Sequence, residues 1–307
     1  MASGLTLLDS ISQYDIDHQL FVLSLDDETS SSLKKRNAKN CHIIELQELE
    51  QVIPALLTAK ENRSKIEYYW TLTPCILHYI IFIQKLTSSL TYLDADQIFF
   101  SNPEDIFYEI KNADIAIMPH RFPNHLKELK VCGTYNVSWL SFNSSENSKS
   151  CLNWWMKSCL NWCYARVEEE KYGDQKYLDQ FPARFKNVHI IENKSCGIAP
   201  WNYEDYTFSD QIVLFHYQSL RCLNRFTYKM CFPSVNHRSL RKLKPYICKT
   251  IKNLNRYNFC FSKELSDKSN NITADTILII SLFKYIFFIR KMTFIKLVLF
   301  FTKKNKL

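Results

Sequence analysis

The chain has 307 residues, 39 Lys and Arg against 31 Asp and Glu for a net charge of +8, and 46% hydrophobic and 14% aromatic residues. That composition excludes a disordered or low-complexity chain and suffices for a large core. With only 4 glycines the chain has no glycine-rich phosphate loop of the Walker or dinucleotide type, so any nucleotide must be held in another way.

The opening MASGLTLLDS lacks the basic and uninterrupted apolar regions of a signal peptide. With 11 cysteines, an odd count and no C-x-x-C pair, the thiols read as reduced, buried groups of a cytoplasmic protein. Apolar runs predict strands at Leu20–Leu25, Ile43–Leu46, Leu90–Leu93, Ile115–Met118, Val188–Ile191 and Ile212–Phe215. Helical stretches lie between them, at Ile66–Leu86 and Ser150–Val167. In the second, Leu152, Trp155, Cys159 and Trp162 share one apolar face. Cys159 and Cys163, near Cys151, fit core packing better than a metal cluster, since no histidines stand at ligand spacing. Alternating strands and helices predict an α/β fold with a mainly parallel sheet.

Three places carry potential chemistry. The run Thr91-Tyr-Leu-Asp-Ala-Asp-Gln97 ends an apolar strand in two carboxylates two residues apart, at the sheet end where open α/β sheets bind ligands. Hard oxygen ligands so placed suit Mg²⁺ or Mn²⁺, although the same pattern fits a solvated turn. His216 closes the apolar run Val213-Leu-Phe; it is a third ligand if its strand neighbours that of Asp94, and otherwise a core histidine. At Lys171-Tyr-Gly-Asp-Gln175, Gly173 reads as a turn, with Asp174 and Gln175 opening a helix as cap and first-turn pair.

These segments resemble a known family in their order. Tyr92-Leu-Asp-Ala-Asp-Gln-Ile-Phe-Phe-Ser-Asn-Pro103, Gly133-Thr-Tyr-Asn-Val-Ser-Trp-Leu-Ser-Phe142, Lys171–Asp179, Gly197-Ile-Ala-Pro-Trp-Asn202 and Phe215-His-Tyr217 look like a bacterial nucleotide-diphospho-sugar glycosyltransferase of the GT-A fold, closest to the family 8-like enzymes of surface-polysaccharide clusters. The resemblance covers about residues 5–225. It implies a Rossmann-like mixed, mainly parallel sheet flanked by helices, with Asp94 and Asp96 on a divalent metal and the donor diphosphate and His216 as a further metal ligand. It also implies Asn136 against the donor sugar, Asp174 and Gln175 at sugar and acceptor as the first candidates for the catalytic group, and Arg221 on the diphosphate; Arg63 reads equally as a further donor contact or as a surface arginine. The implied reaction is retaining transfer from a nucleotide-diphospho-sugar, by default a UDP-hexose, to a glycan or lipid-linked acceptor. The resemblance leads one to expect the family's first strand before the Gly4–Ser10 helix, with which this sequence opens. Ser138 and Ser219 stand where glycines are expected, and Gln218 where a second histidine is.

Residues 236–307 form a basic extension to the 1–235 domain, with 16 Lys and Arg against 3 Asp and Glu, where residues 1–235 carry 23 against 28. Thr276–Phe301 is apolar but interrupted by Lys284, Arg290, Lys291 and Lys296, which predicts a helix lying on an anionic membrane surface rather than crossing it. The interspersed apolar runs disfavour a nucleic-acid partner. The expectation is therefore an enzyme peripheral to the inner face of the membrane; the alternative is a degenerate, inactive transferase fold acting as a membrane-associated scaffold. A haloacid-dehalogenase-type phosphotransferase is disfavoured because Gln97-Ile98 follow the second aspartate.

Overall fold

The structure is a computed structural model that describes residues 2–16, 18–37, 40–205, 211–218, 220–224, 227–230, 237–257 and 296–300. In chain order the elements are α1 (Ala2–Ile11), β1 (Gln19–Ser24), α2 (Asp27–Arg36), β2 (Cys41–Glu45), α3 (Leu46–Val52), α4 (Ala55–Asn62) and α5 (Lys65–His78). Then follow β3 (Leu90–Leu93), β4 (Gln97–Phe99), α6 (Glu104–Ile110), β5 (Ile115–Pro119), β6 (Tyr135–Phe142), α7 (Glu146–Asn161), α8 (Phe181–Arg184), β7 (Val188–Ile190) and β8 (Cys196–Ile198). The last are β9 (Leu214–His216), β10 (Arg221–Asn224), β11 (Thr227–Lys229), α9 (His237–Asn255) and β12 (Lys296–Phe300).

The two long helices start where their side chains close the first turn. Ser64 and Glu67 form a reciprocal capping box at α5, and the Ser145 hydroxyl accepts from the Ser148 N–H at α7. A π turn over Tyr79–Ile83 continues α5. The predicted face of α7 is buried at Leu152, Trp155 and Cys159, and Trp162 lies just beyond its last turn.

The strands pair in the order β3-β6-β5-β7, with β12-β1-β2 and β4-β9-β8 as further ladders and β10-β11 as a hairpin. Period-two alternation divides the central strands between two cores. Tyr92, Ile115, Ile117 and Leu140 point to one side and pack with Leu72 and Ile76 of α5 and Leu152 and Trp155 of α7. Leu93, Ala116, Met118 and Trp139 point to the other, with Leu7, Leu8 and Ile11 of α1 and Ile106 and Ile110 of α6. This is the expected layered α/β fold with a mixed sheet. Its antiparallel share is larger than the alternation of elements predicts, because β6 runs antiparallel to both β3 and β5. The β5–β6 connection contains 3-10 turns over Asn124–Cys132 rather than a crossover helix, and so returns the chain antiparallel.

Each of the six predicted strands forms, within two residues of its expected limits. At the C-terminal end, Lys296–Phe300 is not helical: β12 pairs antiparallel with β1, Leu20 opposite Leu299, and lies against β3. The rest of the predicted interfacial helix, residues 276–295 and 301, lies outside the described residues, as does Ser219. Among the described residues no helix is long and apolar enough to cross a membrane. The described cysteines are free thiols, with Cys75, Cys151, Cys159, Cys163 and Cys196 buried.

Candidate active site

Strand β3 is buried at all four positions and delivers Asp94 at its C-terminal end. A turn then carries Asp96 into β4, which pairs with β9 so that Gln97 stands opposite His216. The Tyr217 N–H donates to the Asp96 carbonyl at 2.8 Å, fixing that register. His216 Nε2 consequently lies 3.1 Å from Asp96 Oδ1 and 3.8 Å from Asp94 Oδ2. Metal–ligand bonds of about 2.0–2.1 Å separate neighbouring octahedral ligands by about 3.0 Å and opposite ones by about 4.2 Å. The three side chains, whose ligand atoms all fall within 4.8 Å of one another, are thus gathered on the scale of one divalent ion.

Electrostatics and satisfaction support that fit. Burial lowers the pKa of His216, but the charge and hydrogen bond of Asp96 and the charge of Asp94 outweigh it and raise the imidazole above its ordinary value. Both nitrogen and oxygen of the Gln97 amide, and His216 Nδ1, are buried without a hydrogen-bond partner among the described residues. Buried polar atoms left unpaired cost about 1–3 kcal/mol each, so this corner of the fold is built for polar company.

Behind the triad lies an aromatic support. Trp201 meets His216 edge-on with ring centroids 5.6 Å apart. Trp201 Nε1 and Asn202 Nδ2 both donate to the His120 carbonyl, at 2.8 and 2.9 Å. The His120 ring stacks on Phe122, and burial drives its pKa down to about 3, so it is neutral. Gly197, at φ +81°, precedes this corner; a Cβ there would stand 2.6 Å from Met118 Sδ.

Asn136 is buried on β6, and its Oδ1 accepts from the Ser138 N–H at 2.8 Å. The Ser138 carbonyl in turn accepts from the Asp94 N–H at 3.4 Å, so Asn136 is linked to the triad by two hydrogen bonds through Ser138. Asp174 is buried after Gly173, whose φ of +52° makes the turn. Its carbonyl accepts from Trp155 Nε1 at 2.9 Å, and its charge is felt at the buried Tyr92 hydroxyl, which itself donates to Asp94 Oδ1 at 2.6 Å. Gln175 precedes a short 3-10 turn but does not cap it: its amide donates to the Cys132 carbonyl at 2.8 Å, tying that turn to the β5–β6 connection.

Arg63 is buried, and its guanidinium donates to Thr71 Oγ1 and to the carbonyls of Cys159 and Leu160 at 2.8 and 2.6 Å. There it satisfies the open C-terminal end of α7. Arg221 begins β10, where only the backbone is described. The structure thus gathers Asp94, Asp96 and His216, with Asn136 and Asp174 linked through neighbours, and gives Arg63 to a helix end. Tyr92, Trp201 and His120 are additional residues of the site. An aromatic in an apolar strand or loop reads as core, and only Tyr92's place two residues before Asp94 puts it on the same strand face.

On one side of Asp96, Ser3 of α1 and Thr250 and Leu254 of α9 close a hollow of about 10 Å³. A cleft of about 270 Å³ opens elsewhere, at the C-terminal ends of β1 and β2, lined by Asp26, Asp27, Glu45, Glu50 and Lys60 among others. Its Glu50 is already committed to Lys60 and the Tyr68 hydroxyl, at 2.8 and 2.6 Å.

The uncharacterized protein YfnF of Bacillus subtilis (strain 168) is 31% identical over 215 residues, covering 67% of this chain and 70% of YfnF. Its YfnD is 25% identical over 239 residues, covering 74% and 76%. Among solved structures, the apo form of mouse xyloside xylosyltransferase 1 aligns with a TM-score of 0.41 and 15% identity over 71% of this chain and 91% of that one. Residues 16–258, from just before β1 to just past α9, match one family throughout, and the chain belongs to it: the nucleotide-diphospho-sugar transferases.

Proposed function

We propose that this transferase is metal-dependent and moves a hexose from a UDP-sugar, with retention, to a glycan or lipid-linked acceptor of surface-polysaccharide synthesis. The observation that carries the reading is the convergence of Asp94, Asp96 and His216 from two strands in a chain of this family. Mg²⁺ or Mn²⁺ suits two carboxylates and an imidazole, and such an ion neutralises the charge that grows on a leaving diphosphate.

The chain's own residues orient the rest. Asn136 commits its Oδ1 to Ser138, which directs the amide nitrogen to a donor-sugar hydroxyl. Asp174 is the candidate for the reacting centre, anchored by the Trp155 bond to its carbonyl. Gln175 acts from the same turn by holding Cys132 and Gly133, the entry to β6, beside the sugar. Arg221 supplies the fixed cation for the diphosphate. Support for an anionic membrane surface as partner comes from the basic tail and from α9, whose exposed face is lysine- and arginine-rich.

Calorimetry with UDP and UDP-sugars, with and without Mn²⁺, tests the reading, with Asp96→Ala as the control. Binding that requires both the ion and Asp96 is expected. Folded protein that binds no nucleotide under any condition would overturn it in favour of an inactive scaffold.

A further inference from the structure

Tyr92 is fully buried in the core that the sheet shares with α5 and α7, yet its hydroxyl ends at the candidate metal site. It donates to Asp94 Oδ1 at 2.6 Å. The other oxygen of the same carboxylate, Oδ2, is the one turned to His216 Nε2 at 3.8 Å. The two oxygens of Asp94 therefore have different neighbours. Thr73 of α5 hydrogen-bonds the same phenol oxygen, and the charge of Asp174 reaches it as well. The phenol thus bonds the carboxylate at the end of β3 and feels the charge of the one after Gly173. Because Asp94 follows β3 directly and stands two residues after Tyr92, the two share a face at the strand's end.

We propose that Tyr92 is a positioning residue: its hydroxyl occupies Asp94 Oδ1, so that Asp94 offers a cation one oxygen, Oδ2, and leaves the rest of the ion's shell to substrate oxygens and water. This rests on the metal-dependent reading above. Without that bond the carboxylate must be fixed as the ion binds, which costs affinity, and its second oxygen is free to take a place that an Mg²⁺-like ion otherwise keeps for phosphate or water. Hydrogen-bond partners behind a ligand commonly set metal affinity by about 10–100-fold.

The test is Mn²⁺ titration of the metal-free full chain followed by electron paramagnetic resonance, on wild type, Tyr92→Phe and Tyr177→Phe. Tyr177 is the control because it too is a buried phenol, donating to the Trp162 carbonyl at 2.9 Å in the same core. Tyr92→Phe is expected to raise the Mn²⁺ Kd by about 10–100-fold, with Tyr177→Phe within about twofold of wild type. A folded Tyr92→Phe with wild-type affinity overturns the proposal. A crystal structure of the wild-type Mn²⁺ complex decides it without any variant: Asp94 bound through Oδ2, with Oδ1 still on Tyr92, supports it, and a bidentate Asp94 overturns it. Wild type that binds no Mn²⁺ removes the metal-dependent reading and this proposal together, a result distinct from failure of the variant alone.

Discussion

His216 is buried with an oxygen of Asp96 3.1 Å from its Nε2, and this contact makes the site sensitive to pH. With its pKa raised above the ordinary 6.5, the imidazolium stabilises the metal-free fold fully below that value, and the contribution is lost as pH rises through the raised pKa. A cation needs the same nitrogen unprotonated. Mn²⁺ affinity should therefore climb with pH up to that pKa, by at most about tenfold per unit, and flatten above it. His216→Gln should weaken binding and remove the slope; a slope that survives would assign the proton to another group. The two carboxylates were legible in the sequence as an Asp-x-Asp at a strand end, and Phe215-His216 as a second strand end; that the two ends lie side by side comes from the pairing of β4 with β9. Arg63 was not, since a lone arginine before a helix gives no sign that its guanidinium will fold back onto the carbonyls of Cys159 and Leu160. Nor was Gln175, whose amide reaches across to Cys132 instead of capping its own turn.

At the scale of elements, Asp114 ties three segments at the start of β5. Its carboxylate accepts from Asn143 and Asn147, both at 2.9 Å, and its carbonyl from the Ser148 hydroxyl at 2.6 Å, while its N–H donates to the Asn187 carbonyl at 3.1 Å. Burial raises its pKa, but the surrounding side-chain donors, Asn143 and Asn147 foremost, prevail and hold the carboxyl below its usual range. The stabilisation is therefore present above pH of about 3.9 and lost as pH falls through the lowered value. Asp114→Ala should cost about 1–3 kcal/mol at pH 7 and progressively less as pH falls through the lowered pKa, as read by denaturant unfolding; a loss that stays constant through acid would show that the charge is irrelevant. Such knots escape a sequence reading because their partners are spread over 74 positions, from Asp114 to Asn187. The six apolar strands and both long helices were legible through periodicity. Strands β4 and β8 have three residues each, too few to show an alternation, and Lys296–Phe300 shows how a short apolar run fits helix or strand until a neighbour decides.

For the molecule as a whole, α9 divides its side chains between the body and solvent. Leu243, Ile247 and Leu254 are buried, while Arg241, Lys242, Lys244, Lys249, Lys252 and Arg256 are exposed, and residues 237–257 contain no acid. Its apolar face is already used, so any attraction of α9 to a bilayer is one of charge, about 1 kcal/mol for each cation near an anionic surface. The full chain should float with vesicles containing anionic lipid, release as salt rises, and lose more than about tenfold in affinity when Arg241, Lys249, Lys252 and Arg256 become Gln. Unchanged flotation of that variant would give the attachment to another part of the chain. The pairing of β4 with β9 has a further consequence. Asp96 and His216 are 120 positions apart in sequence, so one ion held between them is a reversible crosslink across the loop that contains β5, β6, α7 and β8. Closing so long a loop is entropically costly for a free chain, and an ion present at about 100 times its Kd adds about 2.7 kcal/mol to the folded state. The cell's supply of divalent cation would then govern how long the protein survives as well as how fast it turns over.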